Sequence, residues 1–431
     1  MVKGDKRIIR GWVFYDWANS VYNLVISSAI FPIFYDNVTT ASLGSICENG
    51  TDNTYVHFFG SYISNSTIYS YVLSLSFLVV AFASPFLSGI ADYTGSKKKF
   101  MQFFCYLGAF SSMTLYFFNP DYIYLSFISV FFASIGFWNS LVFYNAFLPE
   151  IAEPKDQDKI SARGFSMGYF GAMILLLLAL IMIKGFDVPA KWSFVFVGVW
   201  WIGFSQFTFR VLPDNVHKRP KEKGYIWKGF KELQKVYKEF QQTKGLKRFL
   251  YSFFAFNTGV QTVMLMATLF AKKEIHDMPD SGLIIAILLI QILGALGAFI
   301  MSRLSGVIGN IRTLMISVVI WVIVCGAAFI ITTAVEFYFL AAAVGLVMGG
   351  VQALSRSTYS KMLPETKDHA SYFSFFDVTE KIGIVLGTFF FGFMEYITGS
   401  IRYSVLAVAF FFVLGLILMF FIPKKDWKVT T

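Results

Sequence analysis

The sequence predicts an all-α membrane protein with twelve transmembrane helices in two pseudo-symmetric six-helix bundles. Three observations predict it. The 431 residues are 56% hydrophobic and only 14% charged, with a mean hydropathy of +0.61; soluble domains are about 25% charged. Apolar runs of about 20 residues recur along the whole chain, each long enough to cross a hydrocarbon core of about 30 Å. Polar signatures inside those runs also occur twice. Asn19-Ser20-Val21-Tyr22-Asn23 lies early in the first run, and Asn257-Thr258-Gly259-Val260-Gln261 lies early in a later one. Tyr144-Asn145-Ala146-Phe147-Leu148-Pro149-Glu150 closes one run and Tyr359-Ser360-Lys361-Met362-Leu363-Pro364-Glu365 closes another.

The expected spans of the first half are 12–35, 67–90, 99–118, 122–147, 161–183 and 191–211. Those of the second half are 249–271, 281–302, 313–334, 337–362, 371–396 and 401–422. All are apolar almost all round, as buried or lipid-facing helices are. The period-two pattern of a membrane barrel is absent. The first span carries Asp16, Asn19 and Asn23 and is too long for a cleavable signal. Between the first two spans lies a polar loop, 36–66, without an equivalent in the second half. It holds Cys47 and the sequons at Asn37, Asn49 and Asn65. Cys105 and Cys325 are scattered elsewhere, so no disulfide framework is expected. In the fifth span, Gly164, Gly168 and Gly171 permit close helix packing.

The organisation is therefore a bundle at 1–212, a basic linker at 213–247 and a second bundle at 248–431. The linker contains Pro213, Pro220 and a Lys-rich run. Within it Ile226, Phe230, Leu233, Tyr237 and Phe240 recur at helical spacing, with Lys228, Lys231, Lys235 and Lys238 between them. This is an amphipathic helix expected to lie on the inner membrane surface as a connector. Of the 36 Lys and Arg, only Lys184, Lys191, Lys272, Lys273 and Arg402 fall in outer loops, and Lys381 lies inside a span. The rest lie towards one face, which places both termini in the cytoplasm. The net charge of +10 then reflects loops facing anionic lipid headgroups, and no nucleic-acid partner is expected.

The second span ends in Ser88-Gly89-Ile90-Ala91-Asp92-Tyr93-Thr94-Gly95-Ser96-Lys97-Lys98-Lys99. Gly95 allows a tight reversal. Asp92 suits the N-terminus of a neighbouring helix, whose dipole favours an anion. Lys97 and Lys98 are expected to hold the loop at the headgroups. A weaker copy runs from Ser302 to Arg312, with Gly309 matching Gly95 and Gly306 in place of the Asp. This loop resembles the Gly-x-x-x-Asp-x-x-Gly-x-(Arg/Lys)-(Arg/Lys) motif of the major facilitator superfamily, with Ser88 where the first Gly is expected. More narrowly, Tyr15-Asp16-Trp17-Ala18-Asn19-Ser20 and Gly349-Gly350-Val351-Gln352-Ala353-Leu354-Ser355-Arg356-Ser357 resemble the autophagy-related vacuolar effluxer-like family. Thr258 stands where many members of that family carry an Asp. The resemblance implies the major facilitator fold and a secondary transporter that works by alternating access. It implies export of amino acids or similar small polar metabolites. The expected location is the inner membrane of a bacterium or the vacuolar membrane of a fungus.

Charges inside spans are the informative residues, because each costs about 2.5–3.5 kcal/mol at the bilayer centre. Lys381 is expected about 15 Å deep, near the midplane, as a substrate anion site, as a charge switch or in a structural pair, with Asp377 and Glu380 as candidate coupling or gate residues. Asp377, four residues earlier, shares its helix face, whereas Glu380 points about 100° away. Asp16, about 6 Å below the inner boundary, is a candidate proton carrier or a gate locked to Arg356. Asn19, Asn23, Asn139, Asn257, Gln261 and Gln352 lie near the midplane on spans 1, 4, 7 and 10, which line the central cavity of the superfamily. Amides donate and accept, and so suit a zwitterionic or hydroxylated cargo; the alternative is interhelical hydrogen bonding.

The expected partners are a small-molecule substrate, membrane lipids and a coupling ion, with a proton as the candidate. The chain is expected to act as a monomer, without cofactor or metal. Two other readings share the composition: a lysolipid or lipid transporter of the same fold, and a non-transporting receptor or scaffold. A membrane-embedded enzyme is disfavoured. The four histidines, His57, His217, His276 and His369, fall in loops or at span edges, and there is no HExxH, G-x-S-x-G or Walker-type phosphate loop.

Overall fold

The computed structural model describes residues 3–44, 46–48, 51–214, 225–275 and 278–427. Asn49, His217, Pro220 and His276 lie outside these residues, as do the side chains of Cys47, Ile226 and Lys228. Membrane helices are numbered in chain order. Eleven helices among the described residues are long and apolar enough to cross a membrane. The twelfth is α3, Lys97–Thr114, of 18 residues. Its opening Lys97-Lys98-Lys99 makes it less apolar, but it packs between its neighbours of the first half.

The first half comprises α1 (Lys6–Leu43), α2 (Asn65–Thr94), α3, α4 (Ile123–Asn145), α5 (Pro154–Gly185) and α6 (Trp192–Val211). The second comprises α7 (Lys244–Glu274), α8 (Asp280–Ile308), α9 (Asn310–Ile330), α10 (Ala334–Met362), α11 (His369–Thr398) and α12 (Ile401–Phe420). Each half packs within itself, α1 on α5 and α6 in the first, α8 on α10 and α7 on α12 in the second. The halves meet along two seams, α2 against α11 and α5 against α8 and α10. The resulting chain is a multi-pass integral membrane protein.

Helix α1 is not uniform. Residues Tyr22–Ala29 wind as a π-helix, between the α-helical segments Lys6–Val21 and Ile30–Leu43. Such wide turns free backbone groups and cluster at functional sites. The loop expected at 36–66 is partly ordered. Helix α1 continues to Leu43, and two small hairpins follow, β1 (Ile46–Glu48) with β2 (Thr51–Asn53) and β3 (Tyr55–Phe58) with β4 (Ser61–Ser64). Phe58 stacks on Tyr124, and Tyr35 donates to the Asn65 carbonyl at 2.7 Å. The Asn65 amide donates to Asp36 and Thr39 from a buried position, so this sequon is closed to modification.

The connecting helix, Tyr225–Gln242, corrects one expectation. It does not merely lie on the membrane. Val236 and Phe240 are buried, and Phe240 packs on Phe375 of α11. Gly229 meets α2 at Ile90 and Gly89, where neither glycine has room for a Cβ. The helix thus straps α2 of one half to α11 of the other. Trp227 and Tyr237 on its remaining faces are exposed.

Candidate functional site

Between the halves lies a cavity of about 170 Å³. It is lined from α1 by Asp16, Asn19 and Asn23, from α4 by Trp138, from α7 by Asn257 and Gln261, from α10 by Gln352 and Arg356, and from α11 by Glu380. Asn23 sits in the π-helical turn, where its carbonyl accepts from the Ser28 hydroxyl at 3.0 Å. Asn19 and Asn257 occupy equivalent positions in the two halves. Both are buried, both line the cavity, and in both the amide nitrogen has no acceptor among the described residues.

Two of the expected cavity residues are elsewhere. Asn139 is fully buried in the first bundle, and its amide donates to the Ile135 carbonyl one turn back on its own helix. Lys381 is also buried and does not line the cavity. Its ammonium lies 3.0 Å from Asp377, 3.2 Å from Glu380 and 3.5 Å from the centre of the Trp138 ring. The expected separation of Glu380 from Lys381 therefore fails. A glutamate side chain is long enough to curl back across the 100° step. Glu380 is the member of this trio that faces the cavity, and it also accepts from Gln261 at 2.6 Å. Two carboxylates share one ammonium here, so the group carries an excess negative charge when both are ionised.

At the base of the cavity Arg356 of α10 reaches Asp16 of α1, with N–O distances of 3.2 and 3.3 Å. Tyr144 donates to the same Asp16 oxygen at 2.7 Å. The guanidinium also donates to the Ser161 hydroxyl and carbonyl, at 2.9 and 3.0 Å, and lies 4.2 Å from the Phe165 ring centre. A buried charge is tolerated only when paired and hydrogen-bonded in this way. The packing leaves no slack: a Cβ on Gly164 would strike the Asp16 carboxylate and the Arg356 guanidinium.

Further polar contacts between the halves gather towards the face that bears the chain termini. Asp92 of α2 accepts from the backbone N–H groups of Ala370 and Ser371, at 3.2 and 2.7 Å, in the first turn of α11. Gly95 ends α2 at φ +66, where glycine carries no steric penalty. Lys97 and Lys98 do not extend to the headgroups. Lys97 is buried against Glu150, and Lys98 pairs with Asp214 at 3.0 Å. The buried Glu150 carboxylate draws Lys97 inward, whereas the Asp214 that holds Lys98 is itself exposed. Glu150 also lies 2.9 Å from His369 Nδ1 of the other half. On the second seam Asp158 of α5 accepts from Asn310 at 2.8 Å, Ser305 at 2.8 Å and Lys361 at 2.7 Å. Asp158 thus serves the loop after α8, whose own Asp is replaced by Gly306. Sequence reasoning missed Asp158, Glu150 and Tyr144. Tyr144 and Glu150 sit in the repeated signature that closes the fourth span, and Asp158 follows the helix-starting Pro154 just before an apolar run.

Residues 4–430 match the family described as "Vacuole effluxer Atg22 like". The MFS-type transporter YxiO of Bacillus subtilis is 30% identical, across 99% of this chain and 97% of its own length. Autophagy-related protein 22 of Saccharomyces cerevisiae is 27% identical, across 98% and 91%. Among solved structures, the major facilitator transporter FucP in its outward conformation superposes with a TM-score of 0.69 at 15% identity, across 98% of this chain and 99% of that one. The human organic anion transporter MFSD10 gives 0.69 at 10% identity, across 97% and 100%. The fold is that of the major facilitator superfamily, and the chain belongs to its Atg22-like vacuole effluxer family.

Proposed function

We propose that the chain is a secondary active transporter that exports amino acids or closely similar small zwitterions by alternating access. The observation that carries this reading is the pair of buried amide donors, Asn19 and Asn257, that face one cavity from equivalent helices. Two convergent N–H donors suit a carboxylate. Glu380, backed by an excess of negative charge, suits an ammonium. A cavity of about 170 Å³ is smaller than the 300–1,000 Å³ of drug-sized sites, which favours a small metabolite over a lysolipid. The family's description as an effluxer supports the outward direction.

The contacts Asp16–Arg356, Asp92–α11 and Asp158–Asn310 act as the inner gate, since all lie on the basic face, which the charge bias assigns to the cytoplasm. Glu380 is the candidate site of a coupling proton, because it alone of the α11 trio touches the cavity.

The reading is tested by counterflow of radiolabelled amino acids in proteoliposomes. Saturable exchange that falls at least tenfold in Asn257→Ala supports it. A folded protein that exchanges no amino acid, organic acid or sugar would favour the receptor reading instead.

A further inference from the structure

A second and larger cleft, about 600 Å³, lies apart from the central cavity, over the α5–α8 seam. It is bounded by α1, α5 and α6 of the first half and by Phe299 of α8 from the second. Its walls are apolar: Phe14, Met167, Phe170 and Phe207 join Phe299, and the last three of these phenylalanines are exposed. Exposed aromatics within spans mark a surface covered by acyl chains. The polar groups are at one end. Arg10 and Arg163 line the cleft, both are exposed, and neither makes an ion pair or hydrogen bond among the described residues. Their relative depth follows from the α1–α5 packing. Gly164 abuts Asp16 and Gly168 abuts Ser20, so Arg163 stands level with Tyr15, five residues above Arg10. That is about 8 Å along the helix.

We infer that this cleft is a binding site for an anionic glycerophospholipid of the inner leaflet, with its phosphate on Arg10 and Arg163 and an acyl chain against the phenylalanines. Unpaired guanidiniums at the basic end of a membrane-facing groove are uncompensated positive charge. Guanidinium groups match phosphate oxygens in geometry as well as charge. Their stems let them reach up or down to the headgroup plane. Anionic lipid gathers at this face for the same electrostatic reason that orients the protein. A soluble anion would satisfy the arginines but would leave the aromatic walls unexplained. The lipid touches both halves across the α5–α8 seam. Its occupancy therefore stabilises the arrangement in which the seam is closed, by mass action. The binding itself does not depend on which solute the central cavity carries.

The test is a thermal-shift titration of purified protein with phosphatidylglycerol and with phosphatidylcholine of the same acyl chains. Phosphatidylglycerol is expected to raise the Tm and phosphatidylcholine to have little effect. The double variant Arg10→Gln with Arg163→Gln should weaken the phosphatidylglycerol response about thirtyfold, at about 1 kcal/mol per arginine. Asn257→Ala, altered only in the cavity, should keep the full response. If the double variant does not purify, each single variant should lose part of the response. The inference is overturned if the arginine variants respond like the parent, if both lipids act equally, or if inorganic phosphate alone reproduces the shift.

Discussion

Replacing Arg356 with Met keeps most of the side-chain volume and removes the charge. In the parent, Arg356 is buried and joins α10 to Asp16 and Ser161 of the other half. The variant leaves Asp16 buried with Tyr144 as its remaining partner. Removing one member of a buried pair costs about 3–5 kcal/mol. When the halves separate at this face, water reaches Asp16 and the cost vanishes. The penalty therefore falls on the closed arrangement alone. At tenfold per 1.4 kcal/mol, the closed-to-open ratio drops roughly a hundred- to a few-thousand-fold. A suitable reporter is Ala298 on α8, fully buried against Ala162 and Ala353. With the native cysteines replaced, Ala298→Cys should resist a water-soluble maleimide supplied from the basic face. Adding Arg356→Met should raise the labelling rate at least a hundredfold. The double replacement Asp16→Leu with Arg356→Met should recover part of the protection, because no charge is left unpaired. Equal labelling with and without Arg356 would refute the gate.

Gly164→Ala forces a Cβ into the Asp16 carboxylate, so it should mimic the Arg356 variant in the same labelling assay and lower exchange. Lys381→Met strips the partner from two carboxylates and should lower the Tm by several degrees. Adding Asp377→Leu should restore the Tm but not exchange, since Glu380 then faces the cavity without its cation; full exchange in that double variant would remove the trio from transport. Asp92→Ala leaves the α11 N-terminus uncapped and should cost about 1–2 kcal/mol of closed-state stability, whereas Asp92→Asn keeps an acceptor and should cost less; indistinguishable labelling and exchange in both variants would show that the cap has no part in closure.

The features legible in the sequence were those carried by a single helix. Span number and position follow from apolar length, and a repeated Asn19-x-x-x-Asn23 and Asn257-x-x-x-Gln261 pattern marks equivalent faces whatever the neighbours are. The Asp377–Lys381 pair was also legible, because i and i+4 meet on any helix. What failed needed the neighbour. Asn139 has the same expected depth as the cavity amides, yet the rotation of α4 turns Trp138 to the cavity and Asn139 into the bundle. Lys97 and Lys98 follow the pattern of headgroup lysines. Lys97 turns inward to the buried Glu150, more than 50 residues away, and Lys98 is held by the exposed Asp214, more than 100 residues away. The π-helical turn Tyr22–Ala29 has no local signature: Ser27 and Ser28 are unremarkable in a membrane helix, and no Pro or Gly marks the site. Most telling is Asp158. The loop after α8 has lost the acid that its counterpart keeps at Asp92, which by sequence alone reads as decay of the repeat. In the fold, a carboxylate from the opposite half occupies the second seam. The symmetry is thus kept in buried contacts between the halves after it has been lost in residue positions: each seam holds one buried aspartate from the first half, one against the start of α11 and one against the junction of α8 and α9.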